Sequence, residues 1–336
     1  MKIQRCKGTR DLSTEDMRRF SFISEVFRDA CSKYGYGEVK TPTIEYLHLF
    51  TSAGTLTPGM LGKVYSFLDW DGWSGERVVL KPDATIPVAR LYIEQMPEKL
   101  AKLFYITNVF IFEETGKKTR EKWQCGAELI GVGSPLADVE LITLAVEVLN
   151  RLGLKGAELR LSHAGLTRGL LHKLALSPEE QDRVFDQLLD GDITALARIK
   201  TEKPELAPLL ELQGKSAGFV KNLATLLDFP ELKPQVDDFL KIASMLESLG
   251  YDYRIDMASA RGFEYYTGVI FQLFCGEEKI GGGGRYDALI PSMGGKKTPA
   301  SGFALYLDPL MNLIKEETLN QPQRILVRVE PEALKT

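Results

Sequence analysis

Two strand-rich parts of the sequence are separated by a long helix-rich part, and this order restricts the folds open to the chain. From about residue 165 to 248 the residues Leu, Ala, Glu, Lys and Asp dominate. Ser177 is followed three residues later by Glu180, the spacing of a helix capping box. A strand-like pattern then resumes over residues 253–307. We therefore predict a bundle of helices inserted into a core that is otherwise built on a sheet.

The first half of the chain alternates between helix-like and strand-like segments. Apolar residues recur at helical spacing over 14–34, 84–95 and 135–152. Strand-like segments are predicted at 39–45, 65–69, 77–81, 104–112 and 123–132. Pro42 favours an edge or interface position for the first of them, because proline donates no ladder hydrogen bond. We predict an α+β fold with a mostly antiparallel sheet, in which residues near 83–128 and near 261–285 lie together.

These patterns divide the 336 residues into four parts. Residues 1–164 and 249–320 are predicted to form the first and second parts of one core, with residues 165–248 as the helical insertion. Residues 321–336 are predicted to begin a truncated or vestigial C-terminal domain, since a strand-like run at 324–329 has little sequence after it. A chain of this length can form two units with cores of their own.

Composition and charge exclude several classes of protein. The hydrophobic fraction of 44% and the charged fraction of 26% are ordinary for a globular protein, and no apolar run is long enough to span a bilayer. The start of the chain lacks the apolar core of a signal peptide. A net charge of -4 and a pI near 5.7 argue against avid nucleic-acid binding. Four scattered cysteines and three histidines without ligand spacing indicate free thiols in a reducing cytoplasm and no metal site.

The segment Arg261–Gly268 places a guanidinium, a carboxylate and two adjacent phenols close together. In a strand, Tyr265 and Tyr266 would point to opposite faces of the sheet, so one phenol could line a pocket while the other supports it. A glycine run at 281–284 follows, and glycines beside a strand allow a ligand or another backbone to approach closely. The segment is either an amino-acid site or a well-packed antiparallel strand with a bulge.

Two other segments carry candidate binding residues. Asp83 and Thr85 stand where a predicted strand turns into a helix, so their oxygens either cap the helix or face a ligand. Gln124, Gly126 and Glu128 alternate along a predicted strand and therefore share one face. A glutamate on the inner face of a sheet is costly unless it is paired or hydrogen-bonded, which makes Glu128 a candidate binding residue.

Six segments together resemble, in order along the chain, the catalytic core of histidyl-tRNA synthetases. They are Pro42–Glu45, Asp83–Arg90, Gln124–Glu128, Arg261–Gly268, Gly282–Asp287 and Gly302–Leu305. The resemblance covers nearly the whole chain, including the helical insertion. It implies the class II aminoacyl-tRNA synthetase fold, an antiparallel sheet of six or seven strands flanked by helices. It also implies a dimer formed through the segment that contains Pro42.

The resemblance also implies a histidine-binding pocket. Its assignments are Asp83, Thr85 and Gln124 around the α-amino group, Arg261 at the carboxylate, Glu128 and Tyr265 at the imidazole nitrogens, and Tyr266 in the wall. The chemistry suits this ligand, because a zwitterion needs one cationic and one anionic contact and a ring with two nitrogens needs two polar partners. Asp83 is one methylene shorter than the glutamate that is usual in synthetases.

Two residues expected of an active synthetase are missing. Class II enzymes hold the phosphates of ATP with two arginines in two further motifs, and the corresponding positions in this chain are Ile111 and Pro309, with Tyr306 close to the second. Loss of charge stabilisation at a phosphoryl centre costs several kcal/mol of barrier per group. We therefore expect no adenylate formation, no catalytic residue and no cofactor.

A histidine pocket without an ATP site is similar to a second family, the regulatory subunits of ATP phosphoribosyltransferase. Lys81–Arg90 and Gly302–Asp308 resemble that family more than true synthetases. The resemblance implies a non-catalytic protein of histidine biosynthesis that the short-form catalytic subunit needs for activity and that mediates feedback by histidine. It implies a homodimer within a hetero-octamer, and no tRNA binding is expected. Two alternatives stay open: a histidyl-tRNA synthetase core, and a synthetase-like amino-acid sensor for another partner.

Overall fold

The computed structural model describes residues 3–54, 62–70, 75–112, 119–173, 213–226, 230–257, 265–315 and 318–319. The helices in these residues are α1 Thr14–Lys33, α2 Leu47–Ser52, α3 Thr85–Gln95, α4 Pro135–Arg151, α5 Ala164–Lys173, α6 Ala217–Leu226, α7 Lys233–Ser248, α8 Leu289–Ser292 and α9 Leu307–Leu313. The strands are β1 Gly37–Glu38, β2 Ile44–Tyr46, β3 Ser66–Trp70, β4 Gly75–Leu80, β5 Ala101–Phe110, β6 Glu121–Ile130, β7 Glu158–His163, β8 Gln213–Gly214, β9 Arg254–Asp256, β10 Val269–Cys275, β11 Glu278–Arg285 and β12 Ala300–Tyr306.

A nine-stranded sheet in the order β1-β5-β6-β12-β11-β10-β7-β9-β8 forms the centre of the protein. Its six middle strands, from β5 to β7 in that order, pair antiparallel, and parallel pairs β1–β5 and β7–β9 extend it at the two sides. The predicted α+β class and the antiparallel core are therefore confirmed, within a sheet that is mixed at its flanks. The prediction that the segments near 83–128 and 261–285 share a sheet is confirmed through β5, β6, β10 and β11.

One face of this sheet carries the larger hydrophobic core. Phe27 of α1 packs edge-on against Phe104 and Phe303, with ring centroids 6.0 and 6.2 Å apart, and Phe303 in turn contacts Phe271 at 6.2 Å. Buried residues of α4, α7 and α9 complete the same cluster. The opposite face meets a smaller cluster that includes residues of α3 and α8. Helices of the larger core cover the first face with apolar side chains. A polar site is therefore expected on the second face.

The first helix shows how local sequence sets an element. The Ser13 hydroxyl accepts the Asp16 amide at 3.1 Å, while the Asp16 carboxylate accepts the Ser13 amide at 2.9 Å. This reciprocal pair satisfies two backbone donors at the helix start. The helix predicted over 14–34 is confirmed, with its end at Lys33.

The strand predicted over 39–45 is wrong for most of its length. Only Ile44–Tyr46 form a strand there, and it belongs to a separate three-stranded sheet in the order β2-β4-β3. Residues 39–43 carry the chain from β1 in the large sheet to β2 in the small one. Pro42 lies in this crossing, where the missing amide of proline interrupts no ladder.

The described part of the predicted helical insertion contains α5, α6 and α7. The helices α6 and α7 pack together, α7 also packs on α4, and β8 pairs with β9 at the edge of the large sheet. The predicted capping box at Ser177 and the predicted strand at 324–329 lie outside the described residues. Among the helices that the structure describes, none has the length and apolar character needed to cross a membrane.

Candidate functional site

We call the second face of the large sheet the site face. The residues of β6 that were predicted for the site lie on this face. Cys125 and Ala127 point into the core on the other side, so Gln124, Gly126 and Glu128 share the site face as the alternation predicted. The register places Gly302 of β12 opposite Glu128 and Tyr306 opposite Gln124. The side chains of three neighbouring strands can therefore converge on one region.

Small residues form the floor of this region. Gly126 of β6, Ala304 of β12 and Gly282 of β11 lie opposite one another in one row across the sheet, and Gly302 of β12 lies in the neighbouring row, opposite Glu128. Ala304, Gly282 and Tyr306 keep partial solvent exposure, although they lie on middle strands of a nine-stranded sheet. The described residues thus leave the centre of the site face open, which a ligand-binding surface requires.

Glu128 is the most deeply buried acid of the site, with 1% of its surface exposed. Its Oε1 accepts hydrogen bonds from the hydroxyls of Thr85 at 2.8 Å and Tyr105 at 3.2 Å, and its Oε2 accepts one from Tyr286 at 2.5 Å. Burial raises the pKa of Glu128 to about 8, although the Tyr286 and Thr85 hydrogen bonds act in the opposite direction. The predicted need for hydrogen-bonding partners is met by three neutral hydroxyls.

Asp83 is a second buried acid, at the start of α3. Its Oδ1 accepts the amide of Ile86 at 2.8 Å, and its carboxylate also hydrogen-bonds with Tyr265. Burial raises the pKa of Asp83 to about 6, and its charge in turn contributes to the raised pKa of Glu128. Asp83 therefore caps the start of α3, as one of its two predicted roles required. The Thr85 hydroxyl instead donates to Glu128.

The prediction that Tyr265 and Tyr266 point to opposite faces of a strand is wrong. Both precede β10, and their rings contact each other with centroids 5.0 Å apart. Tyr265 also meets the ring of Tyr286 edge-on at 5.6 Å. The physical reason is that Thr267 and Gly268 both donate their amides to the carbonyl of Arg285, so the chain turns before the strand begins. Both phenols consequently join one aromatic cluster beside Asp83 and Glu128.

Of the two remaining predicted residues, the structure describes Gln124 but not Arg261. Gln124 is buried on the site face, opposite Thr107 and Tyr306. Arg261 lies outside the described residues. Sequence reasoning did not assign Tyr105 or Tyr286 to the site. Tyr105 could have been found from the alternation along β5, because it lies opposite Gly126, and a side chain at Gly126 would occupy the space that the Tyr105 ring fills.

Ile111 and Pro309, the positions at which the family resemblance predicts the loss of ATP-binding arginines, follow β5 and β12 in the chain. Ile111 follows β5 and pairs its amide with the carbonyl of Arg120. Pro309 lies in the first turn of α9, a position where proline is tolerated. The neighbouring Asp308 carboxylate is ion-paired with Arg10 from the N-terminal segment. Residues 113–118, which follow Ile111, lie outside the described part of the chain.

No group of three or more His, Cys, Asp or Glu residues within the described ranges is placed to hold a metal ion. The chemistry of the site is that of two buried carboxylates, one buried amide and a ring of hydroxyls. Such a set can bind a polar ligand that carries cationic groups, because both carboxylates are desolvated. The described hydrogen-bond partners of Glu128 are neutral hydroxyls, whereas Asp83 also interacts electrostatically with the buried Lys81.

The family is established by comparison with known proteins. The sequence profile for histidyl-tRNA synthetase matches residues 8–310. A protein of Dehalococcoides mccartyi named ATP phosphoribosyltransferase regulatory subunit is 55% identical, with 99% of this chain and 83% of the relative aligned. The Histidine–tRNA ligase of Methanocaldococcus jannaschii is 33% identical over 97% of this chain and 79% of its own length.

A solved structure gives the same result for the fold. The crystal structure of an ATP phosphoribosyltransferase regulatory subunit/histidyl-tRNA synthetase from Bacillus halodurans superposes with a TM-score of 0.82 at 26% identity, covering 96% of this chain and 84% of the other. The class II synthetase-like fold predicted from the sequence is thereby confirmed. The chain belongs to the histidyl-tRNA synthetase family and, within it, to the ATP phosphoribosyltransferase regulatory subunits.

Proposed function

We propose that this chain is the regulatory subunit of an ATP phosphoribosyltransferase in histidine biosynthesis. It is required for the activity of a short-form catalytic subunit, and it carries the feedback inhibition by histidine. The observation that carries this proposal is the 55% identity to a protein of that name over 99% of the chain. The arrangement of the site supports the proposed binding of histidine.

Two buried acids on one face complement a ligand with two cationic groups. The α-ammonium of histidine is a cation and its imidazole becomes one when it is protonated, so one group could face Asp83 and the other Glu128, whose described hydrogen-bond partners are neutral hydroxyls. A cation beside a desolvated carboxylate favours its ionised form. Histidine binding is therefore expected to lower the pKa of Glu128 from its raised value near 8.

The roles proposed for the remaining residues are those that the family resemblance implies. Gln124 and Asp83 are proposed to bind the α-amino group, and Tyr265 is proposed to bind the imidazole together with Glu128. Thr85 acts through Glu128, because its hydroxyl orients that carboxylate at 2.8 Å. Two further assignments complete the proposed pocket, Arg261 at the ligand carboxylate and Tyr266 in the wall.

The chain is proposed to be non-catalytic and to need no cofactor. Ile111 and Pro309 carry no charge that could hold a phosphate, and Asp308 is already ion-paired with Arg10. An amino-acid pocket without phosphate ligands can bind histidine but cannot stabilise the charge that develops during adenylation. Inhibition then requires only that histidine bind one state of the assembled enzyme more tightly than the other.

The small sheet supports the proposed homodimer within a hetero-octamer. Ile44, Tyr46 and Phe67 share one of its faces around the buried Val78, and they are 48%, 49% and 42% exposed. This apolar face continues directly from the Pro42 segment, which the family resemblance places at a dimer contact. A contiguous exposed apolar face marks an interaction site. We place the assembly in the cytoplasm and expect no tRNA among its partners.

A histidyl-tRNA synthetase is the second candidate, because the synthetase profile matches residues 8–310. Isothermal titration calorimetry with histidine and with ATP separates the two functions. The proposal predicts histidine binding without ATP binding, and Tyr265→Phe should weaken the histidine affinity. Binding of both ligands, with histidine-dependent exchange of pyrophosphate into ATP, would support the synthetase. Binding of neither would remove the basis for a histidine pocket.

A further inference from the structure

Arg285 connects two helices of the core to the end of β11. Its guanidinium forms an ion pair with the buried Asp138 of α4 and donates to Asp238 of α7 at 2.7 Å. Asp138 is held a second time by the Ser301 hydroxyl at 2.8 Å and is only 2% exposed. The Asp238 side chain is 23% exposed. The bond to Asp138 is thus fixed in the core, whereas the bond to Asp238 is the one that a movement of α7 can break.

The backbone of Arg285 holds the aromatic part of the site. Its carbonyl accepts the amides of Thr267 at 2.8 Å and Gly268 at 3.3 Å, which sets the turn that carries Tyr265 and Tyr266. The next residue, Tyr286, donates to Glu128. A displacement of Arg285 would therefore move both the 265–268 turn and Tyr286, two parts of the proposed histidine pocket.

A second helix reaches the same turn. Arg168 of α5 donates from its guanidinium to the carbonyl of Tyr266 at 2.9 Å, and Ala164 at the start of α5 donates its amide to Gly268 at 2.9 Å. The turn is accordingly bonded to α5 directly and to α7 through Arg285. Arg168 lies near the beginning, and Asp238 near the end, of residues 165–248, the part of the chain predicted as the helical insertion.

We propose that Arg168 and Asp238 are positioning residues that couple the helices α5 and α7 to the histidine pocket. Movement of either helix shifts the 265–268 turn and Tyr286, and so changes the affinity for histidine. By linkage, histidine binding restrains the two helices to the same degree. This inference rests on the proposed function, since it names the route by which the pocket is coupled to the rest of the chain.

The test uses the full chain and isothermal titration calorimetry with histidine. Asp238→Asn keeps the size of the side chain but removes the charge that binds Arg285, and it should weaken histidine affinity by about tenfold. Asp237→Asn, at the exposed neighbouring position of α7, should leave the affinity unchanged. Asp238→Glu restores the charge and should recover most of the affinity, which a loss caused by general unfolding would not do.

Arg168→Met gives an independent test at an exposed position, with the exposed Lys241→Met as its control. It too should weaken histidine binding while the control does not. The inference is overturned if Asp238→Asn or Arg168→Met binds histidine as tightly as the wild type. A wild-type chain that binds no histidine would instead contradict the proposed function itself.

Discussion

The hydroxyl of Tyr286, the residue after β11, donates a hydrogen bond of 2.5 Å to Oε2 of Glu128 on β6, and β12 lies between β11 and β6. The intervening residue is Gly302 of β12, which lies opposite Glu128 on one side and opposite Gly284 on the other. A Cβ atom on Gly302 would collide with Oε2 of Glu128. The glycine is therefore required for the buried carboxylate of Glu128 to meet the phenol of Tyr286.

Substitution of Gly302 by Ala should disrupt the pocket. Because the added methyl group overlaps the Glu128 carboxylate, the carboxylate must leave its position beside Tyr286, and overpacking of this kind costs about 1–3 kcal/mol of stability. Histidine affinity should fall by about tenfold or more, as measured by calorimetry. Gly156→Ala is the control, since no atom lies within 4 Å of its added Cβ. Unchanged histidine affinity in Gly302→Ala would show that Glu128 does not contact the ligand.

Loss of the Tyr286 hydroxyl should weaken histidine binding more than an equal loss of stability elsewhere in the fold would. Tyr286→Phe removes a donor to a buried acid, which should weaken histidine binding by roughly tenfold. Tyr34→Phe removes a similar bond, from Tyr34 to Glu147 at 2.9 Å, between α1 and α4 on the opposite side of the sheet. The two variants should lose similar stability in urea unfolding, but only the first should lose affinity. Equal affinities in both variants would contradict the assigned site.

The stability of the ligand-free chain should fall as the pH rises through the range in which Glu128 titrates. Burial raises the pKa of Glu128 from about 4.5 to about 8, so between these values the folded chain keeps a proton that the unfolded chain has released. The free energy of unfolding then decreases with pH, by at most about 1.4 kcal/mol per pH unit for this group. Glu128→Gln cannot titrate and should show a shallower decline in urea unfolding at a series of pH values.

Glu277→Gln provides the comparison for this pH series, because it makes the same chemical change at an exposed position outside the site. Its decline should match that of the wild type. Identical slopes for the wild type and Glu128→Gln would show that the Glu128 carboxyl is already ionised in the folded chain, which is the opposite of the expected protonated state.

The apolar face of the small sheet should be needed for self-association. Phe67→Glu places a charge on the proposed contact surface, and burial of an unpaired charge is strongly unfavourable. Sedimentation velocity should show the wild type as a dimer and the variant mainly as a monomer. Leu249→Glu, at an exposed apolar residue after α7, should leave the dimer intact. Dissociation by Leu249→Glu, or a dimer that survives Phe67→Glu, would place the contact elsewhere.

Local patterns were sufficient to predict those features that depend on neighbouring residues. The periodicity over 14–34 predicted α1, and the alternation of Gln124, Gly126 and Glu128 predicted both their common face and the need of Glu128 for partners. The partners themselves could not be predicted from local patterns, because Tyr105 reaches Glu128 from β5 and Tyr286 reaches it from the end of β11. Which strands lie side by side is set by the topology of the whole sheet.

The two incorrect predictions have a similar cause. Tyr265 and Tyr266 have strong strand propensity, but the carbonyl of Arg285 captures the amides of Thr267 and Gly268 and turns the chain. Residues 39–43 read as a strand, but they carry the chain from one sheet to another. In the first case a contact distant in sequence overrides the local preference, and in the second the passage between two sheets does so. The predicted domain limits stay predictions.

The synthetase-like pocket is proposed to sense histidine for a partner enzyme. The most direct test is the histidine inhibition of an ATP phosphoribosyltransferase reconstituted from the short catalytic subunit with either the wild-type chain or Glu128→Gln. We predict that both chains activate the catalytic subunit, and that the concentration of histidine needed for half-inhibition rises by about tenfold or more with Glu128→Gln. Equal inhibition of the two enzymes would contradict this proposal and would place the feedback site outside the pocket.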